Sequence, residues 1–190
     1  MSVPEELAVT PYARADFSLV RQQLIDVYAE VYADEALADP FHSVPRFTDR
    51  LDGHASRPGW ACSVGTIDGE TVGYAYGRPD SEGEWRRVTD PVSPDVHDYG
   101  VGGAMFGLCE IMVREPWRGT GIARVIHDAL MRDRPELRAS LLVDRTHPRV
   151  RATYERWGYR AVATAQPFPD SPVYDAMVLD LGSSGWAVGV

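Results

Sequence analysis

Hydrophobic positions recur along the chain with two alternating periods. From Asp16 onward, Phe17, Val20, Leu24, Val27, Tyr28 and Val31 return at spacings of three and four, which predicts an amphipathic helix in a region that Pro40 closes. A second helix is predicted from Val44 to about Ala55, with Phe47 and Leu51 on one face and Arg57-Pro58-Gly59 ending it. Residues 7–10 read as a short first strand. Residues 60–67 and 71–77 read as a hairpin, because Asp68-Gly69 between them is a turn dipeptide. Gly73 and Gly77 thin its second strand, which lets another backbone approach closely. Residues 78–103 are rich in Pro, Gly and acidic groups; they read as a long loop, either a disordered insertion or a lid, and Trp85 and Tyr99 favour the lid.

Residues 104–113 form an apolar strand interrupted by one charge, Glu110. The strand runs into Arg114-Glu115-Pro116-Trp117-Arg118-Gly119-Thr120-Gly121, and a helix follows with Ile122, Val125, Ile126, Ala129 and Leu130 on one stripe. Residues 139–143 are a further buried strand. A short helix starts at Pro148, aligns Val150, Tyr154 and Trp157, and ends with Gly158 at C′. Residues 159–163 and 173–181 close the pattern as strands, and residues 182–190 read as a mobile tail. No internal repeat or domain boundary appears, so the expectation is one α/β or α+β domain over residues 1–190.

The length of 190 residues suits a single domain. Net charge is −9, from 19 basic and 28 acidic residues, and every basic residue is Arg. A negative chain repels phosphate backbones over long range, so nucleic acid is not the expected partner, and cations such as protonated amines are favoured. The absence of Lys excludes a Schiff-base route. No apolar run is long enough for a membrane span and the N-terminus lacks signal-peptide character, so no membrane partner is expected. Cys62 and Cys109 sit in apolar runs without C-x-x-C spacing, which reads as buried free thiols in a cytoplasmic compartment. The five His are too scattered for metal-ligand spacing, and no metal is predicted.

The chemistry concentrates in residues 108–123. A buried strand leads into an Arg- and Gly-rich turn that opens a helix, and backbone N–H groups at a helix start attract anions. Gly119 and Gly121 let a phosphate reach the backbone, and Arg118 adds a fixed cation, so the turn suits a pyrophosphate. The P-loop pattern and its Lys are absent, and Gly119-Thr120-Gly121 does not continue as a dinucleotide fingerprint. The pattern is Arg118-x-x-Gly121-x-Ala123. Downstream stands Ala152-Thr153-Tyr154-Glu155-Arg156-Trp157-Gly158-Tyr159, a Tyr-x-x-x-Gly-aromatic helix end.

Together these segments resemble the GNAT superfamily of acetyl-CoA-dependent N-acetyltransferases, over roughly residues 10–181. Pro116 is one place later than the family's common Pro, and His147 stands where many members carry Asn. The resemblance implies the GNAT fold: a twisted mixed sheet of about seven strands with about four helices, its strands 4 and 5 splayed apart. It implies acetyl-CoA as co-substrate, with the backbone of Ile111, Met112 and Val113 along the pantetheine arm and the N–H groups of Arg118, Gly119, Thr120, Gly121, Ile122 and Ala123 around the pyrophosphate. His147 is counted with the cofactor contacts. Tyr154 would sit near the thioester sulfur.

The implied reaction moves an acetyl group to a primary amine of a small molecule or peptide. Such an amine has a pKa of ~10.4, so only roughly one molecule in two thousand is neutral at pH 7 and a base helps. Glu110 is the candidate base, and in ideal alternation it shares a face with Leu108 and Met112. Its alternative is a structural carboxylate paired with an Arg. Tyr154 is the candidate acid for the departing thiolate, its alternative a core aromatic. His127 and Asp128 read as a solvated or capping pair, His54 and His97 as surface residues near the acceptor, and Cys109 as no nucleophile. The alternative function is a CoA-binding module without turnover. Residue pattern does not fix the oligomeric state; an isologous homodimer is the commonest choice.

Overall fold

The computed structural model of the chain describes residues 3–81, 105–167 and 171–182. Seven strands form one mixed sheet in the order β1-β2-β3-β4-β5-β7-β6. They are β1 (Ala8–Ala13), β2 (Ala61–Ile67), β3 (Glu70–Pro79), β4 (Met105–Val113), β5 (Arg138–Asp144), β6 (Arg160–Ala165) and β7 (Tyr174–Asp180). The described helices are α1 (Phe17–Val31), α2 (Glu35–Ala38), α3 (Val44–Ala55), α4 (Ile122–Met131) and α5 (Pro148–Arg156). The chain divides into two compact units, Met1–Arg78 with Cys109–Leu130, and Pro79–Leu108 with Met131–Val190. The expected lid, with Trp85, His97 and Tyr99, lies outside the described residues apart from positions 78–81, and so does all of the expected tail except Gly182.

In the first unit, β1 runs antiparallel to β2 from Ala8↔Thr66 to Ala13↔Ala61. It is longer than the predicted residues 7–10 because Pro11 does not end it: β1 is an edge strand, where a missing N–H is tolerated. The β2–β3 hairpin turns at Asp68 and Gly69, with φ of 51° and 81°, the left-handed pair that a two-residue loop requires. On β3, a Cβ at Gly73 would lie 2.5 Å from the Met112 carbonyl oxygen and 3.1 Å from the Val113 Cα, so the thinning expected here reflects a close approach of β4.

The core of this unit joins α1, α3 and the strands. Val20, Leu24, Val27 and Tyr28 from α1 and Phe47 and Leu51 from α3 bury against Trp60, Val64, Tyr74, Tyr76 and Met112. Phe47 and Leu51 share the buried face that their spacing predicts. Between the two helices lie α2 and a 3₁₀ turn over Pro40–His42, which hydrophobic periodicity does not reveal because each is a single turn. Asp39 Oδ1 accepts the Phe41 N–H at 2.8 Å and Pro40 supplies the first-turn φ, so the turn is locally specified.

In the second unit, β4 pairs in parallel with β5 over Met105–Gly107 against Arg138–Ser140. β5 pairs antiparallel with β7 along its whole length, and β6 lies at the edge against β7. Helix α5 closes with a Schellman motif: Gly158 takes φ 97°, its N–H bonds the Glu155 carbonyl, and the Tyr159 N–H bonds the Tyr154 carbonyl. Val150 departs from its predicted buried face and is 44% exposed.

Gly73→Ala is expected to destabilise the protein by about 1–3 kcal/mol, since the added methyl meets backbone that cannot swing aside. Gly53→Ala, in α3 with open space around its Cβ position, should gain about 0.5–1 kcal/mol. Urea unfolding of both variants checks the contrast.

Candidate active site

The turn after β4 is held by its own side chains. A 3₁₀ turn over Glu115–Trp117, with Pro116 in it, leads to Arg118, whose N–H bonds the Glu115 carbonyl at 3.1 Å. Arg118 Nε donates to the Val113 carbonyl at 3.1 Å, tying the turn to the end of β4. Thr120 Oγ1 donates to the Trp117 carbonyl at 2.7 Å. Gly119 and Gly121 take φ of 77° and 92°, which favours glycine at both. The Gly121 carbonyl accepts the Arg124 and Val125 N–H groups at 3.0 and 3.3 Å. Those bonds open α4, so the N–H groups of Ile122 and Ala123 precede the first intrahelical acceptor. Arg118, Gly119 and Gly121 are exposed. A cation, two left-handed glycines and free helix-start donors on one exposed turn fit an anionic phosphate group.

Upstream of this turn, Met112 and Val113 are buried and Ile111 is half-buried, and Met112 belongs to the α1–α3 core. What these three residues can offer an extended ligand is their backbone.

Glu110 points toward the same helices. Its side chain is 19% exposed, and Arg50 of α3 stands over it with Nη2 3.9 Å from Oε1. Burial lifts the Glu110 pKa to about 7, and the Arg50 charge only partly opposes this. Arg50 has anchoring contacts of its own. Its Nη1 donates to the Phe41 carbonyl at 3.1 Å and its Nη2 to the Tyr28 hydroxyl at 3.4 Å, and the guanidinium lies 4.9 Å from the Phe41 ring centroid. Burial, then the Glu110 charge, pushes Tyr28 up to about 12. Tyr74 and Tyr76 of β3 are wholly buried and held well above the usual phenol range by burial, with Glu110 as the next contributor. The Tyr76 hydroxyl lies 3.4 Å from His54 Nδ1. Among the described residues, Glu110 thus sits in an aromatic, weakly hydrated nest with one cation, Arg50.

The other sequence candidates lie on other elements. Tyr154 lies in α5, in the second unit, half-buried, its ring edge-on to Trp157 and Tyr159 at 5.5 and 5.7 Å. The Schellman bond from Tyr159 to the Tyr154 carbonyl fixes that backbone. His147 occupies the N-cap position of α5 without a side-chain capping bond, is 63% exposed, and has Nδ1 3.2 Å from Thr146 Oγ1 and 3.7 Å from Asp144 Oδ2. His127 corrects an expectation: it is fully buried rather than solvated, with Nδ1 2.9 Å from Asp128, which also takes Arg124 at 2.6 Å. Burial lowers its pKa, a structural arrangement within α4. Cys62 and Cys109 are free thiols, the first buried and pushed up by burial.

Arg50, Tyr28, Tyr74 and Tyr76 are members of this site that were not singled out from sequence. The signals existed: Tyr74 and Tyr76 alternate on one face of β3, and Arg50 lies one residue before Leu51 and three after Phe47. Nothing local says that an Arg beside an apolar stripe turns inward. Among the described residues no group of three or more His, Cys, Asp or Glu could hold a metal ion, and no described helix is long and apolar enough to cross a membrane.

Residues 21–159 match the model of the acetyltransferase (GNAT) family. No curated protein matches significantly. Among solved structures, an acetyltransferase from Streptococcus agalactiae aligns with a TM-score of 0.61 at 14% identity, covering 93% of this chain and 99% of its own. A GNAT-family acetyltransferase from Bacillus cereus aligns with a TM-score of 0.60 at 9% identity, covering 92% and 96%. The PaiA N-acetyltransferase from Thermoplasma acidophilum, solved in complex with coenzyme A, aligns with a TM-score of 0.54 at 10% identity, covering 92% and 98%. At these identities the likeness is one of fold.

The raised pKa of Glu110 has a sign that stability measurements read. The folded state holds this proton up to about pH 7 while an unfolded carboxyl releases it near 4.5. The neutral carboxyl therefore supports the fold fully below pH 4.5, and that support is lost as pH rises through 7, about 3 kcal/mol in all. Glu110→Gln is neutral throughout and removes this slope. The stability of the variant minus that of wild type should rise between pH 4.5 and 7. Any offset from leaving Arg50 without its carboxylate is independent of pH, so urea unfolding across that range separates the two.

Proposed function

Since the chain belongs to the GNAT acetyltransferase family, its model matching residues 21–159, we propose that the protein transfers the acetyl group of acetyl-CoA to the primary amine of an acceptor by direct attack, with Glu110 as general base and Tyr154 as general acid. The observation that carries this reading is Glu110 itself, a carboxylate drawn into an aromatic nest on the strand that leads to the Arg118–Gly121 turn, with a pKa near 7. A base with that pKa is half ionised at neutral pH and strong enough to accept a proton from an attacking amine.

Arg118, the two left-handed glycines and the N–H groups of Ile122 and Ala123 supply donors and positive potential for the pyrophosphate. The Ile111–Val113 backbone offers amide partners to an extended arm, and one of its N–H groups can stabilise negative charge on the reacting carbonyl oxygen. Bound acetyl-CoA supplies an activated acyl carbon as a thioester. Glu110 receives the amine proton as the nitrogen–carbon bond forms. The carbon–sulfur bond breaks, and the Tyr154 hydroxyl gives the thiolate its proton. His147, exposed at the start of α5, adds a polar contact for the cofactor. The acceptor is a small molecule or a peptide amine, and the −9 charge attracts cationic amines from solution.

CoA at about 100 times its dissociation constant should stabilise the protein by about 2.7 kcal/mol. An unchanged melting temperature at millimolar CoA would remove the cofactor assignment. Thiol release with an amine panel then distinguishes an enzyme from a CoA-binding module. Tyr154→Phe should keep CoA affinity and lower turnover by ~10²–10⁴-fold. Glu110→Gln should lose most rate near pH 7 and recover part of it at higher pH, where solvent deprotonates the acceptor. A parallel pH profile would make Glu110 scaffold.

A further inference from the structure

We propose that the acceptor is an α-amino acid or a close analogue of one, its amine lying at Glu110 and its carboxylate on the guanidinium of Arg50, two groups that α3 and β4 hold 3.9 Å apart. The inference rests on Glu110 as the base of the proposed transfer and adds a chemical class of acceptor.

The first argument is the looseness of the pair. Hydrogen bonds span about 2.7–3.2 Å, so at 3.9 Å Arg50 and Glu110 face each other without bonding. The same helix makes a tight ion pair on its more exposed side, where Arg21 grips Asp52 through two bonds of 2.7 and 2.8 Å. Arg50 and Glu110 are less exposed, 17% and 19%, and that is where contact matters more. An open pair in a desolvated nest leaves hydrogen-bonding capacity on both partners.

The second argument is anchoring. Arg50 is held by the Phe41 carbonyl on Nη1, by the Phe41 ring, and by the Tyr28 hydroxyl on Nη2, the same nitrogen that faces Glu110. Those contacts use two of its five N–H donors and fix the plane of the group. A planar fork held in this way matches a carboxylate.

The third argument is an orphaned polar atom. The Tyr74 hydroxyl is wholly buried and has no hydrogen-bond partner among the described residues. Its electrostatic neighbours are Glu110, Cys62, Tyr28 and Tyr32, which put it in the same cluster. Buried polar groups without partners are uncommon in folded proteins, and an acceptor with several polar atoms would supply one.

The spacing selects the ligand. Two groups so close can each bond a different atom of one small molecule only if those atoms are near neighbours, as the amine and carboxylate on a single carbon are. A simple alkylammonium at Glu110 would instead bring its charge up to the Arg50 guanidinium, a like-charge contact that discriminates against it. The overall negative charge draws in cations, but Arg50 makes the site itself prefer a zwitterion.

The test uses the full chain, acetyl-CoA and matched acceptors: the common α-amino acids, each against the amine in which hydrogen replaces the carboxylate. Thiol release gives kcat and KM for each. The best amino acid should exceed its decarboxylated partner in kcat/KM by roughly 10- to 100-fold, the worth of a charge-assisted hydrogen-bonded contact. In Arg50→Gln that preference should collapse, chiefly through KM, and Arg50→Lys should restore part of it. Should Arg50→Gln not fold, wild type and Arg50→Lys still decide through the paired acceptors. Equal or better turnover of the decarboxylated amines in wild type overturns the inference and leaves the proposed transfer standing. A preference that survives in Arg50→Gln overturns it as well. So does the absence of turnover with every amino acid in protein that CoA stabilises. Failure of CoA to stabilise the protein is a separate result and removes the proposed transfer itself.

Discussion

A carboxylate is hard to keep inside an apolar strand, and the first unit is organised around the one that β4 carries there. Among the described residues, Glu110 sits with Tyr28, Tyr74 and Tyr76 and one cation, Arg50, which is not close enough to bond it. Desolvation therefore outweighs attraction and the group keeps its proton to about pH 7. A tight pair would have held it ionised, and an open position would have left it an ordinary acid. The position of Arg50 is set by its contacts with Phe41 and Tyr28. That in turn depends on the Asp39-Pro40 turn, which sets the Phe41 carbonyl in place. Proton affinity at one atom is in this way linked to a short turn between two helices.

The turn after β4 works on a different basis. The donors it presents are backbone N–H groups at the start of α4, and Arg118 braces the strand end through Val113. Side chains there hold shape: Thr120 closes on Trp117, and the left-handed glycines make the bends. The two candidate regions of the first unit thus differ in kind. One is shaped by backbone, and the other is a nest of side chains.

Tyr154 illustrates positioning by a helix end. Its carbonyl is captured by the Tyr159 N–H, its ring leans on Trp157 and Tyr159, and Gly158 allows the left-handed exit that makes both contacts compatible. The same six residues that make the family-like pattern are those that build this cap. The pattern therefore has a local structural reason, whatever the hydroxyl does in the reaction.

Sequence alone determined the features that depend on neighbours in the chain. The periods of α1 and α3, the Asp68-Gly69 hairpin, the glycine turn opening α4 and the cap of α5 are written in spacings of a few residues, and they were legible for that reason. Glu110 was conspicuous as the one charge in an apolar run, and Gly73 as a thinned position. Tertiary structure decided what Glu110 would meet. Arg50 is sixty residues earlier in the chain, and its turn toward β4 rather than toward solvent follows from Phe41, Tyr28 and the packing of α3, none of which a local pattern encodes. His127 makes the same point in reverse: a polar pair on a helix reads as solvated until the buried face of α4 is known. Proton affinities and spacings between charges arise from desolvation and distance in three dimensions, whereas caps, turns and periods arise from bonds between residues only a few positions apart.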